Sequence, residues 1–242
     1  MRFNGVDICS VHRAISVAKE IPPGMPERSV ETVSGREGET LAGTVVKRGE
    51  YTVRVNIAGK SRAEAWRVRA LLAAWAGSSG ETTAELEPTH WPGMAYEAIV
   101  GGISPPEFTF GFAVVEITFV LPRPFAHEKM TSRANGNGTV AMMIGGSAAC
   151  RPEITQTIGA ARNGVAWTLD GNVFFTLKGS FSAGQILKVN FNDGSVLLGT
   201  AHVESRMNVQ ATKWHPGFSP GYHTIASSDG GALDVRWNNE WM

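Results

Sequence analysis

The groups in this 242-residue chain that could do chemistry are few, and their spacing decides what each could do. Glu85 and Glu87 are two apart, which on a strand puts both carboxylates on one face. Glycoside hydrolysis needs two carboxylates held across a cleft, usually from distant parts of a chain, so this pair reads as a charged solvent face or a subunit ion pair. The six histidines (His12, His90, His127, His202, His215 and His223) lack the H-x-x-x-H spacing that brings two ligands to one metal, and the cysteines lack C-x-x-C. No metal site and no cofactor is expected. G-x-S-x-G is absent, Cys150 has no nucleophile context, and Gly136-x-Gly138 lacks the strand-loop-helix surroundings of a phosphate loop. No enzyme is predicted. The more serious set is aromatic: Trp214, His215, Trp237 and Trp241 lie near the carboxy terminus, where an exposed ring could stack on a pyranose. Against that, Trp214 can plug the end of a sandwich, and Trp237, alternating with Val235, can face a core.

Composition narrows the partners. The 22 basic and 22 acidic residues cancel, which removes the broad attraction that nucleic-acid binders and membrane-surface proteins rely on. The opening MRFNGVDICS has no signal-peptide run, and no apolar stretch approaches the ~20 residues that span a bilayer, so a soluble protein with no membrane insertion is expected. Cys9 and Cys150 fit two unpaired thiols in a reducing compartment. Only 18% of residues are charged, while Gly (28) and Pro (12) are plentiful, which suggests a β-rich chain with surface set aside for contact.

The elements that must position these groups divide at Val114 to Phe125, VVEITFVLPRPF. An apolar and β-branched run ends there at two prolines, so a strand stops. Residues 1–123 and 124–242 are therefore predicted as two domains. In the first, short strands flank the turn dipeptide Asn4-Gly5, and residues 29–59 alternate Val30, Thr32, Tyr51, Val53, Val55 and Ile57 between glycines, which fits three strands. Ser61 and Glu64 form an S-x-x-E capping box, and Gly77 stands where a helix end wants a left-handed residue, so a helix is predicted over 62–76. Ala65, Val68, Leu71, Leu72 and Trp75 would pack on a sheet. Arg62, Arg67 and Arg69 fall mainly elsewhere, as a solvated face or as an interface to an acidic neighbour. Trp66 flanks the stripe, as core edge or subunit contact. TTAELEP, YEAIVGGI and FTFGFAVVEITFVL return to strands, giving a β-sheet or barrel-like domain with one α-helix.

In the second domain Asn135-Gly136-Asn137-Gly138 reads as a flexible turn. VAMMI, EITQTIG, GVAWTL, NVFFTLK, QILKVNF, SVLLG, YHTIAS and LDVRWN then follow at the spacing of a sandwich or barrel. Asp170-Gly171 and Asp193-Gly194 are hairpin dipeptides whose central positions tolerate positive φ. Trp167 and Phe174 sit inside strand patterns as core. The fold class is mainly β, its second half an antiparallel sandwich.

FNGVD, VSGREGETLAG followed by YTVRVNI, the helix, and VVEITFVLP leading into PF resemble, in that order, the amino-terminal domain of the siphophage distal tail protein (Dit) family. RPEITQTIG, SAGQILKVNFNDGSVLLG and FSPGYHTIASSDGGALDVRW, with its Pro220-Gly221 turn, are similar to the family's carboxy-terminal galectin-like β-sandwich. His223 departs from the pattern, since many members have asparagine there, which alters a local turn hydrogen bond. The resemblance implies a structural hub of a siphophage or prophage baseplate, made in the bacterial cytoplasm and placed at the virion tail tip. It implies a homo-oligomer, a hexameric ring of amino-terminal domains with the galectin-like domains projecting outward. The ring would join the tail tube protein to a tail-associated lysin or tail fibre and to receptor-binding proteins. The second domain has no room for a long arm or an added carbohydrate module. Arg62, Trp66, Arg67 and Arg69 become candidate subunit contacts, and Trp214, His215, Trp237 and Trp241 candidate contacts to a partner or host glycan. The alternative is a lectin-like module that recognises a cell-wall glycan.

Overall fold

The computed structural model describes the chain except residues 25–27, 33–38, 45–46, 60, 110, 209–211 and 213–216, and only the backbone of 28–32 and 39–44. The fold is mainly β, with one α-helix among the described residues. Two compact units form, Met1–Ala126 with Met242, and His127–Trp241.

The first unit comprises β1 (Arg2–Phe3), β2 (Val6–Asp7), β3 (Ile15–Ile21), β4 (Arg28–Thr32), β5 (Glu39–Thr44), β6 (Gly49–Ile57), α1 (Arg62–Ala76), β7 (Ala84–Glu87), β8 (Met94–Ile103), β9 (Glu107–Thr109) and β10 (Phe112–Leu121). Its strands run in the antiparallel order β2-β1-β7-β8-β10-β6-β3, with β9 also on β10, while β4 and β5 pair with each other as a separate ribbon. Strand β10 ends at Leu121, before Pro122 removes the next ladder donor. Alternation decides which face is core: Ala113, Val115, Ile117, Phe119 and Leu121 are buried on β10, and Tyr51, Val53, Val55 and Ile57 on β6.

Helix α1 covers that face, its Trp75 ring 5.9 Å from Phe3 and 6.4 Å from Phe119. Ser61 Oγ accepts the Glu64 amide at 3.2 Å, the bond expected of the capping box. The helix ends at Ala76, as expected, but the conformation of its cap differs. Gly77 keeps φ −74°, the backbone continues through a 3-10 turn (Gly77–Ser79), and Gly80, at φ +63°, is the left-handed residue. Ala65, Val68, Leu72, Trp75 and Ala76 are buried, but Leu71 is 40% exposed. One residue is about 100° round a helix, so Leu71 falls beside the stripe that Leu72 occupies.

The strand β11 (Ala126–Glu128) begins on the last residue of the first unit, and the second unit continues with β12 (Ser132–Asn137), β13 (Thr139–Ile144), β14 (Glu153–Thr157), β15 (Arg162–Leu169), β16 (Asn172–Phe181), β17 (Ile186–Asn190), β18 (Ser195–Leu198), β19 (Ala201–His202), β20 (Gly221–Ser227), β21 (Ala232–Trp237) and β22 (Glu240–Trp241). A six-stranded antiparallel sheet, β12-β21-β14-β17-β18-β19, and a four-stranded one, β13-β20-β15-β16, supply a shared core. Ile154, Leu187, Val189 and Val235 come from the first sheet, and Val140, Phe175, Leu177 and Ile225 from the second. Each of the eight predicted strand segments contains a strand.

Two turns correct the sequence expectation. Asn135, Gly136 and Asn137 are not a turn but the end of β12, paired with Asp234, Leu233 and Ala232, and only Gly138, at φ +70°, turns the chain. Gly136 is needed in that strand because a Cβ there would lie 2.3 Å from the Thr139 carbonyl oxygen. Asp170-Gly171 has positive φ at both residues (51° and 81°), as a two-residue hairpin requires. At Asp193-Gly194 only Gly194 does (83°), because four residues, Phe191–Gly194, separate β17 from β18 and Asp193 accepts the Ser195 amide instead.

One polar group ties the sandwich core. Gln156, fully buried, accepts the Trp167 indole N–H and donates to Ser227 Oγ (2.7 Å) and to Asp229. Gln156→Leu keeps the volume but removes the indole's acceptor, and a buried unpaired donor costs about 1–3 kcal/mol. Urea unfolding followed by tryptophan fluorescence is expected to show a lower midpoint with an unchanged slope, and an unchanged midpoint would refute this role.

Candidate interaction surfaces

On the first unit, Arg62, Trp66 and Arg69 share one face of α1 through i, i+4 and i+7 spacing. Arg69 donates to the Ser104 and Ile103 carbonyls, both at 2.9 Å, and its guanidinium lies 5.7 Å from the Trp66 ring centre. Arg62 stands 5.0 Å from the centre of the Phe108 ring. Trp66 is 49% exposed, and Phe108 and Phe112 are exposed beside β9 and β10. The structure thus brings together three of the four predicted interface residues. Arg67, exposed, points elsewhere round the helix. Phe108 and Phe112 escaped the sequence reading because an apolar residue in a strand pattern is indistinguishable from core until the facing layer is known.

On the second unit only Trp237 and Trp241 of the aromatic set are described. Trp214 and His215 lie outside the described residues. Trp237 is 5% exposed and belongs to the core, its indole donating to Asn239 Oδ1 at 3.1 Å. The Trp241 indole donates to Glu128 Oε1 at 3.3 Å. What alternation and register do assemble is a polar row across the outer face of the six-stranded sheet. Arg133 is paired with Arg236, Arg236 with Glu153, and Glu153 with Asn190. Asp234, whose carboxyl is held low by the arginines despite some burial, accepts Nε–H from both Arg133 and Arg236.

Among the described residues no three His, Cys, Asp or Glu side chains converge as metal ligands. Three histidines instead face separate carboxylates: His90 with Glu20 (3.0 Å), His202 with Glu204 (2.8 Å) and His223 with Asp170 (2.7 Å). Glu20, nearly buried, also accepts the Tyr51 hydroxyl at 2.8 Å and the Thr89 amide at 3.0 Å, and these bonds hold its carboxyl low against the effect of burial. Glu85 and Glu87 face Glu97 and Arg2 across the ladder, on a strand surface rather than in a cleft.

No protein-family model and no curated protein matches the sequence. Among solved structures, SPP1 Dit (gp 19.1) superposes with a TM-score of 0.80 at 13% identity, over 99% of this chain and 98% of that one. The chain has the Dit fold. SPP1 Dit is described as a paradigm of the hub adsorption apparatus in phages infecting Gram-positive bacteria. Two structures of the phage P2 baseplate in its activated conformation, with Ca and with Sr, match at a TM-score of 0.50 with 10% and 11% identity, over 93% of this chain and 90% of theirs.

Within this Dit fold His223 has a defined task. Its Nδ1 faces Asp170 Oδ2 and its Nε2 faces the Ser219 carbonyl, both at 2.7 Å. Both partners are acceptors, so only the imidazolium, with a proton on each nitrogen, satisfies them together. Burial alone would lower the pKa of His223, but Asp170 and the Ser219 carbonyl outweigh it and raise it above 6.5. Asp170 is held below its usual range, chiefly by His223 and then by the Thr224 amide. Because the folded His223 pKa is raised, its stabilisation is complete below about pH 6.5 and is lost as pH rises through the folded value. The Asp170 contribution is present above about pH 3.9 and is lost as pH falls through its depressed value. Urea midpoints of the wild type and His223→Asn are expected to differ most in weak acid and to converge on the alkaline side. A difference independent of pH across that range would refute the assignment.

Proposed function

We propose that this chain is the distal hub of a siphophage or prophage tail, a structural protein of the virion tail tip rather than an enzyme. Its first unit closes into a hexameric ring that joins the tail tube to a lysin or fibre protein and to receptor-binding proteins. The observation that carries this reading is the full-length match to SPP1 Dit, at a TM-score of 0.80 with nearly all of both chains covered. Supporting it is the surface around α1, where exposed Trp66, Phe108 and Phe112 lie among arginines, residue types that dominate the binding energy of interfaces. The β4–β5 ribbon adds to it. A lone two-stranded ribbon is marginal in water, and packing on a neighbouring subunit would steady it.

A ring needs a heterologous contact repeated head to tail, so one disabled patch should stop closure. Light scattering over a concentration series is expected to reveal a species near six copies of 25.9 kDa, about 155 kDa, with a six-fold ring in negative stain. Trp66→Ala, at an exposed position that should change folding stability by less than about 0.5 kcal/mol, is expected to shift that species to monomer. A ring that forms equally well in the variant would remove α1 from the interface. A strict monomer that binds no tail protein would sink the hub reading.

A further inference from the structure

The polar row on the second unit's outer sheet lines an open cleft of about 550 Å³. That volume is within the range of roughly 300–1,000 Å³ usual for small-molecule sites. The row formed by Arg133, Arg236, Glu153 and Asn190 lies where these four strands begin or end, and the loops beyond them add a second row. Thr131, Asn238, Arg151 and Asn192 stand two residues further along, and all eight line the cleft. No aliphatic side chain interrupts the two rows, and only an edge of the mostly buried Trp237 contributes an apolar floor.

We propose that this cleft binds an acidic sugar, a saccharide bearing a carboxylate or a phosphate. The guanidiniums of Arg133 and Arg236 present planar donor forks that match the oxygens of either anion, and Arg151 adds a third positive charge to the cleft. An arginine carries five N–H donors, and the bonds to Asp234 engage only the Nε–H of Arg133 and of Arg236. Arginines directly opposite on neighbouring strands repel; Asp234, bonded to both, offsets one of the two charges, and a bound anion would offset the other. Glu153 decides between a simple anion and a sugar. A carboxylate is acceptor-only and repels an anion, yet it stands between Arg236 and Asn190 in the row, steadied by Lys188 at 2.8 Å. A ligand that suits both halves of the cleft must carry an anionic group for the arginines and hydroxyl donors for Glu153. Asparagine side chains, which both donate and accept, suit adjacent hydroxyls. An acidic peptide meets the arginines equally well but offers Glu153 only backbone N–H groups flanked by further carboxylates, which repel it. The inference holds whether or not the ring forms.

Saturation-transfer difference NMR on the full chain, at low salt, tests this with glucose 1-phosphate, glucuronic acid, glucose, inorganic phosphate and a hexaglutamate peptide as probes. Glucose 1-phosphate or glucuronic acid is expected to bind about tenfold or more tightly than glucose, and than inorganic phosphate where competition reports it, the size of one charged hydrogen bond. Which of the two acids wins distinguishes a phosphate-bearing glycan from a uronic-acid one. Arg236→Gln should lose about that factor for the acidic sugar, as should Asn192→Ala, an exposed change that serves if Arg236→Gln perturbs folding. Glu153→Gln should weaken the acidic sugar while leaving inorganic phosphate bound as before or more tightly. Tightening of both by Glu153→Gln would reduce the cleft to a plain anion patch and overturn the proposal. So would hexaglutamate outcompeting every sugar, or no saturation transfer to any sugar.

Discussion

The first unit depends on the long antiparallel pairing of β10 with β6, which runs from Ala113 opposite Ile57 to Leu121 opposite Gly49. Side chains alternate along both strands, so a slip of one residue would turn Val115, Ile117 and Phe119 to the wrong face together with Tyr51, Val53 and Val55. Burial of those rings and branched chains therefore fixes the register, and the register places the rest. Phe119 lies where Phe3 and Trp75 can meet it, which seats both the amino-terminal hairpin and α1. Once α1 is seated by its Leu72 face, Arg62, Trp66 and Arg69 have no choice but to line its flank beside β8 and β9. The exposed aromatic surface is thus a geometric by-product of core packing, and selection need only choose which residues occupy it.

Features carried by neighbours in sequence were legible in advance. The Ser61 cap, the Asp170-Gly171 hairpin and the alternation of β6 and β10 each depend on a few adjacent residues, and each is found. The misreadings share a cause. Gly77 does cap α1, but the left-handed conformation expected of it falls on Gly80, three positions on. Asn135 to Gly138 looked like a turn because glycine and asparagine are turn formers, yet Gly136 answers a steric demand made by Thr139 across a tight corner. Composition reports what a residue permits, and only the tertiary neighbours report what is required.

The outer-sheet cleft was illegible for a stronger reason. Its row joins positions 133, 236, 153 and 190, and no local pattern links them, because strand order in the six-stranded sheet departs from chain order. Trp237 posed the opposite difficulty, two local signals that disagree. Its alternation with Val235 offered the core reading, and clustering with Trp214 and Trp241 offered the sugar reading. The core prevailed because β21 is a central strand with Leu233 and Val235 already inward.

A shared fold at 13% identity follows from the same division of labour. Alternation, turn chemistry and the volume of buried rings specify the sandwich and the helix-covered sheet, and many sequences satisfy those conditions. The outward positions are constrained only by solubility and by whatever they touch. In this chain the outward face of the six-stranded sheet carries like charges opposite one another at Arg133 and Arg236, bridged by one shared carboxylate, Asp234. A sheet face under no demand but solvation would relax that repulsion by a single substitution, since an exposed arginine contributes little to folding. In this chain the repulsion is offset instead by Asp234 and by Glu153 on the neighbouring strand, which leaves a row of alternating charge on a chain whose total charge is balanced.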